Sequence, residues 1–158
     1  MATDRSRRLL GLWRRLEPLP GGRWVFSRLI SATVPYSGTI GARVEVLEPG
    51  HARLTLTDRR RVRNHLRSIH AVALINLGEL TSGLAMTTAL PADTRSIVTH
   101  LETDFLKKAR GTLTAECRAV PPGQVTEPVD QVVEAVISDA AGDVVARIRV
   151  RWRLAPPA

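Results

Sequence analysis

Glu79 is the residue that first demands a chemical account. It lies within residues 70–86, His-Ala-Val-Ala-Leu-Ile-Asn-Leu-Gly-Glu-Leu-Thr-Ser-Gly-Leu-Ala-Met, the one stretch that is apolar nearly all round a helix. A helix of that kind is buried on all sides, and a carboxylate is almost never fully buried without a partner or a purpose. Pairing with one of the many arginines would be a structural purpose. The immediate helix neighbours, however, are apolar or small and offer no cation.

A second group stands at the entrance of the same helix. Asn64, His65 and His70 precede its first turn. The unpaired N–H groups there, that of Ala71 among them, point toward whatever sits at the N-terminus, and with the helix dipole they suit a developing oxyanion. His65 and His70 do not read as a zinc pair, because their five-residue spacing fits no common ligand motif. Either one can equally be a structural histidine. Ala71 and Glu79 are eight residues apart, about 12 Å along a helix axis, so one substrate carbonyl cannot touch both in a single chain. A two-fold dimer with antiparallel central helices would bring Glu79 of one copy to the helix entrance of the other. The sequence thus predicts an obligate dimer with composite sites, alone or as a dimer of dimers.

The elements that position these residues follow from periodicity. Residues 5–16 carry Leu9, Leu10, Trp13 and Leu16 at helical spacing among arginines. Such a basic amphipathic helix either docks on its own domain, the preferred reading, or lies on a membrane surface. Pro18, Pro20, Gly21 and Gly22 break it, and a second helix is predicted over 23–32 with Trp24, Phe26, Leu29 and Ile30 as its buried side. From Tyr36 the period becomes two. Ile40, Ala42, Val44 and Val46 alternate with polar or small residues, and Ala52, Leu54 and Leu56 return after the turn at 48–51. A basic loop over 58–68 precedes the central helix, with Ser68 as its expected N-cap and Pro91 as its stop. Four strand-like runs follow, near 95–106, 111–120, 130–138 and 143–154, the last with Arg147, Arg149, Arg151 and Arg153 on one face. Hairpin, buried helix and four strands make an α+β layout in which a curved antiparallel sheet of about six strands wraps one helix. Residues 1–34 form an N-terminal helical segment on a single domain spanning 35–158.

Composition narrows the function classes. With 158 residues, 44% hydrophobic and 24% charged, the chain fits one soluble globular domain. The lone Cys117 rules out an internal disulfide and reads as an inert, half-buried thiol. The opening residues show no apolar leader and no run nears a membrane span, so cytoplasm is the expected compartment. A formal charge of +8 favours anionic partners, but aromatics are only 4% and the arginines are dispersed among structural elements. Nucleic-acid binding is therefore not expected as the main role.

The spacing of Asn64, His70, Glu79 and Gly83 resembles the Asn…His-Gly…(Asp/Glu) pattern of hotdog-fold thioesterases of the phenylacetic-acid-degradation type. Residues 63–85 are similar to an uncharacterised branch of that superfamily. So are Pro-Gly-Gly-Arg-Trp-Val-Phe-Ser at 20–27, Pro35-Tyr36 and Phe-Leu-Lys-Lys-Ala-Arg-Gly at 105–111. The resemblance implies a hotdog fold and an acyl-CoA thioesterase needing no cofactor or metal. It implies that Glu79 attacks the thioester or activates a water, and that the Ala71 N–H polarises the thioester carbonyl. Asn64 and His70 would help hold the attacking water. Lys107, Lys108 and Arg110 fall at the turn that often contacts the CoA nucleotide, where cations suit phosphates. They can equally be a plain solvated loop. Ala71 replaces the usual Gly, which crowds the thioester's approach, and neither Ser96 nor Thr99 is assigned the hydroxyl role common in relatives. Two other readings remain open on the same fold: a non-catalytic acyl-CoA or lipid-binding module, and a different reaction such as enoyl-CoA hydration.

Overall fold

The computed structural model describes residues 5–157. Residues 1–4, on which part of the leader argument rests, lie outside it. Helices α1 (Arg5–Leu16), α2 (Gly22–Thr33) and the short α3 (Pro35–Gly38) lead into a hairpin of β1 (Arg43–Glu48) and β2 (His51–Leu56). Helix α4 (Ala71–Ala89) follows, then β3 (Arg95–Phe105), β4 (Leu113–Arg118), β5 (Val129–Ser138) and β6 (Val144–Ala155). The strands form one antiparallel sheet in the order β1-β2-β4-β5-β6-β3. The sheet curls round α4, which packs on β1, β2, β4, β5 and β6. This is the α+β hotdog architecture.

The core is the inner face of the sheet against α4. Leu77, Ala85 and Met86 of α4 are fully enclosed, and burying a side chain of leucine or methionine size contributes about 1.5–3 kcal/mol. Opposite them, Ile148, Val150, Trp152 and Leu154 of β6 point inward while Arg149, Arg151 and Arg153 face out, the period of two expected of a half-buried strand. The outward arginines are largely engaged along the sheet. Arg147 pairs with Glu134 at 2.8 Å, Arg149 with Glu102 and Asp104 at 2.9 Å each, and Arg153 with Asp130. Three of the four β6 arginines are thereby paired with carboxylates of neighbouring strands rather than left as an open anion-binding face.

Helix and sheet approach most closely at Gly78. A Cβ there would stand 2.7 Å from both Cβ and Cγ1 of Ile148, and a branched side chain has no rotamer that moves its own Cβ away. Gly78→Ala is expected to cost about 1–3 kcal/mol of stability through overpacking, read as a lowered denaturant midpoint with unchanged slope.

Several sequence expectations are corrected. A bulge between Val44 and Val46 shifts the alternation of β1, so Leu47 is the buried residue and Val46 only half-buried. On α2, Phe26 is fully buried against Trp13, ring centroids 5.0 Å apart and edge-on, whereas Trp24 and Leu29 are exposed. Helix α1 docks on the domain as its periodicity suggests, with Leu10 and Trp13 in the common core. Cys117 is buried outright, and burial pushes its thiol up to about 12. No helix among the described residues is long and apolar enough to cross a membrane.

Strand β3 lies at the margin of the sheet, paired only with β6. A bulge between Val98 and His100 puts Leu101, Thr103 and Phe105 on the inner face beside Val150, Ile148 and Ala146. Leu101 and Phe105 are nevertheless exposed, because the strand reaches past α4.

Candidate active site

His70, not Ser68, caps α4. Its backbone is extended (φ −65°, ψ 140°), and its Nδ1 accepts the Val72 N–H at 3.1 Å. The proton of the neutral ring therefore sits on Nε2. The next carbonyl bonds, Ala73 and Leu74 N–H to His70 O, begin the helix and leave the Ala71 N–H without a partner among the described residues. A free donor thus stands on the first turn of a 19-residue helix, at the positive end of its dipole.

The Ser68 hydroxyl is used elsewhere. Ser68 Oγ and Ile69 N–H both donate to Ala109 O, at 2.9 and 2.8 Å. Ala109 is buried at the centre of the basic turn after β3, so that turn and the α4 entrance are joined as one piece. Gly111 N–H donates to Asp58 at 3.0 Å, and Asp58 in turn pairs with Arg63. The Arg63 hydrogen bond holds the Asp58 carboxyl below its ordinary range.

Asn64 is committed to the same loop. Its Oδ1 accepts from Leu66 N–H at 2.9 Å and Ser68 N–H at 3.2 Å, while its own N–H donates to Ser68 O at 2.8 Å. Arg67 takes the left-handed conformation (φ 55°) that closes this tight loop. With both oxygen lone pairs occupied, the Asn64 side chain has its NH₂ group to offer a ligand.

Glu79 is half-buried, and its carboxylate has no hydrogen bond or ion pair among the described residues. Desolvation raises its pKa above the ordinary glutamate value. No arginine among the described residues reaches it, so the structural salt-bridge alternative finds no counterpart there.

Beside His70 opens a cleft of about 260 Å³, lined by His70, Val72, Ala73 and Asn76 of α4 and by Tyr36 of α3, with Thr39, Ile40, Arg61 and Val62 completing it. Glu79 is not among its walls. The chain therefore brings together Asn64, His70, Ala71 and the basic turn, and leaves Glu79 apart. Within that turn Lys107 is bound to Asp139 and Asp143, both at 2.6 Å, and these contacts raise its pKa. Lys108 and Arg110 are exposed and make no ion pair among the described residues, although the Arg110 charge helps to lower the pKa of Asp58. Of the two hydroxyls left unassigned, Thr99 Oγ1 donates to Arg151 O at 3.4 Å, while Ser96 lies opposite Leu154 at the far end of β3. The sequence reading missed Asn76 and Tyr36. Asn76 left one signal, a lone carboxamide between Ile75 and Leu77 on a helix apolar all round.

No curated protein matches the chain. Among solved structures, a structural-genomics protein designated APC5556 is 27% identical over 97% of this chain and 99% of its own, with a TM-score of 0.79. PA5026 of Pseudomonas aeruginosa, described as a protein of unknown function and probable thioesterase, is 28% identical over 87% of this chain and 96% of its own, TM-score 0.73. The protein smu.793 of Streptococcus mutans, solved bound to acetyl CoA, is 19% identical over 73% and 90%, TM-score 0.63, a likeness of fold. The profile of the domain of unknown function DUF4442 matches residues 22–154. The chain belongs to the DUF4442 family, on the hotdog fold of the thioesterase-family proteins.

Proposed function

We propose that the protein is an acyl-CoA thioesterase working at sites shared between two copies of the chain. One observation carries the reading: a desolvated, unpaired carboxylate at Glu79 and a free N–H at Ala71 on the same helix. They lie about 12 Å apart along its axis. Each is half of a hydrolytic site, and antiparallel pairing of two α4 helices joins the halves. The acetyl CoA bound by smu.793 and the description of PA5026 support the substrate class.

In this site the thioester oxygen accepts the Ala71 N–H, and the α4 dipole stabilises the negative charge that develops there. The partner's Glu79 supplies the electron pair in one of two ways. It removes a proton from a water whose oxygen bonds to the carbonyl carbon, or its own oxygen bonds to that carbon and water later cleaves the resulting anhydride. Either way the C–S bond breaks, and coenzyme A leaves as a thiolate that takes up a proton. Asn64, through its NH₂, and His70 order the entrance and the water. Lys108 and Arg110, fixed to the entrance through Ala109, meet the nucleotide phosphates. Lys107 joins them only by leaving its two aspartates.

A hydrolysis screen over acyl-CoAs of graded length and aromaticity tests this directly. Turnover of at least one with a kcat/KM above about 10⁴ M⁻¹s⁻¹ is expected. Saturable binding without turnover across the whole set would make the protein an acyl-CoA-binding module and end the hydrolase reading. On the best substrate, replacing Lys108 and Arg110 with alanine is expected to raise KM severalfold, leave kcat near wild type and flatten the salt dependence of kcat/KM. A loss confined to kcat would remove these residues from the CoA site.

A further inference from the structure

Helix α4 buries four polar side chains, and three of them are satisfied within the helix. Thr81 Oγ1 donates to Leu77 O at 2.7 Å, Ser82 Oγ to Glu79 O at 2.8 Å, and Thr88 Oγ1 to Ala85 O at 2.9 Å. The fourth is Asn76. It is 8% exposed, and its Oδ1 is enclosed with no hydrogen-bond partner. A leucine, as at Leu74 and Leu77 on the same helix, would avoid an orphaned amide oxygen. Trp152 Nε1, on a strand packed against α4, is the other buried side-chain atom without a partner among the described residues, but only Asn76 lines the cleft beside His70, and an unsatisfied buried amide asks for an explanation.

The cleft beside His70 is where Asn76 meets open space. Its deeper walls are Ile40, Val62 and Ala73, all buried, and its rim includes the exposed His70 and Tyr36. The floor is thus apolar except for one carboxamide. Ala71 and Asn76 are five residues apart on α4, about 7 Å along the axis. An acyl group whose carbonyl rests on the Ala71 N–H extends over that distance with a short chain. The amide NH₂ of Asn76, also without a partner among the described residues, is the end of the side chain that keeps some surface, and a hydroxyl on the chain accepts from it where an unsubstituted chain offers nothing.

We propose that this cleft is the acyl subsite and that Asn76 is its specificity-determining residue, selecting an acyl group that carries a hydroxyl over the unsubstituted chain of the same length. The inference rests on the thioesterase reading for its substrate class, and the test separates the two. Hexanoyl-CoA is compared with its isomers bearing a hydroxyl at carbons 2 to 6, by kcat/KM in the wild type and by Kd for the Glu79→Gln variant. At least one hydroxylated isomer is expected to exceed hexanoyl-CoA tenfold or more in both measurements. Asn76→Leu is expected to reduce that preference to threefold or less, by weakening the hydroxylated substrate and improving the plain one. Hydrolysis of all the compounds with no preference for a hydroxyl would overturn the subsite and leave the thioesterase standing. Preferential binding of a hydroxylated isomer without any turnover would keep the subsite and end the hydrolase. A preference that survives in Asn76→Leu would assign the selection to another residue and overturn the proposal. Should the leucine variant fold poorly, the wild-type comparison still decides.

Discussion

Glu79→Gln is expected to lower kcat by at least about 10²-fold, within the 10²–10⁴ typical of losing a general base, while acyl-CoA binding survives. Glutamine keeps the shape of the side chain and removes the base or nucleophile. Because burial raises the Glu79 pKa, the carboxylate form is lost on acidification at a higher pH than an ordinary glutamate would lose it. The wild-type rate should therefore fall with falling pH, starting above the usual range near 4.3, and this limb should be absent from the residual activity of the variant. Stability moves the other way. A group whose folded pKa lies above its unfolded value stabilises the fold below the unfolded value and loses that contribution as pH rises through the folded one. At neutral pH the ionised Glu79 is a burden on the fold, so the Gln variant should melt at or above the wild-type temperature. A variant that retains the full hydrolytic rate would remove Glu79 from the mechanism. One that melts well below wild type would show that Glu79 is paired with a cation in the assembled protein.

Ala71→Pro should be nearly as damaging to turnover, for a different reason. It deletes the free N–H at the entrance of α4 and, with it, about 10²–10³ in kcat for a lost oxyanion donor. The fold should tolerate it. Position 71 is the first of the helix, where proline fits, and that N–H serves no other bond among the described residues. The preceding His70 already holds the extended backbone that proline demands of its predecessor. The two variants together test the shared site. Glu79→Gln and Ala71→Pro are each nearly inactive alone, and unfolding and refolding them as an equal mixture yields mixed dimers with one intact site of two. Recovery of about a quarter of wild-type activity is expected from random pairing. No recovery would place both residues in one protomer's site and end the composite arrangement.

Much of this architecture could be read from the sequence because the signals were local. The four outward arginines of β6 and the all-round apolarity of α4 each specify an element by period alone, and both stand in the structure. What escaped reading was set by contacts between distant residues. The apolar residues of α2 cover so much of its circumference that only the meeting of Phe26 with Trp13 decides which side goes in. Ser68 has the right chemistry for a cap but gives its hydroxyl to Ala109, 41 residues away, and His70 takes the cap instead. Lys107 looks like a free cation in sequence and is held by two aspartates of the β5–β6 turn. The candidate site was legible to the same degree. The order of Asn64, His70, Ala71 and Glu79 marked the helix and its entrance. Asn76 drew no attention, because an unsatisfied oxygen is visible only once every neighbour has been accounted for.

The two margins of the sheet are unequal, and that bears on how large an assembly can grow. At β1 the outward N–H of Val44 is taken by Ser27 Oγ of α2 at 2.9 Å, so a helix already occupies the side where another strand would join. At β3 an 11-residue strand without proline stands open beyond α4. Open strands recruit further strands, and a chain open at both margins would keep adding copies into a filament. With one margin sealed, two copies that meet along β3 have each used the edge they had to offer, and growth along the sheet ends there. The seal at β1, far from any chemistry, is what would make such an assembly a particle of fixed size rather than a polymer.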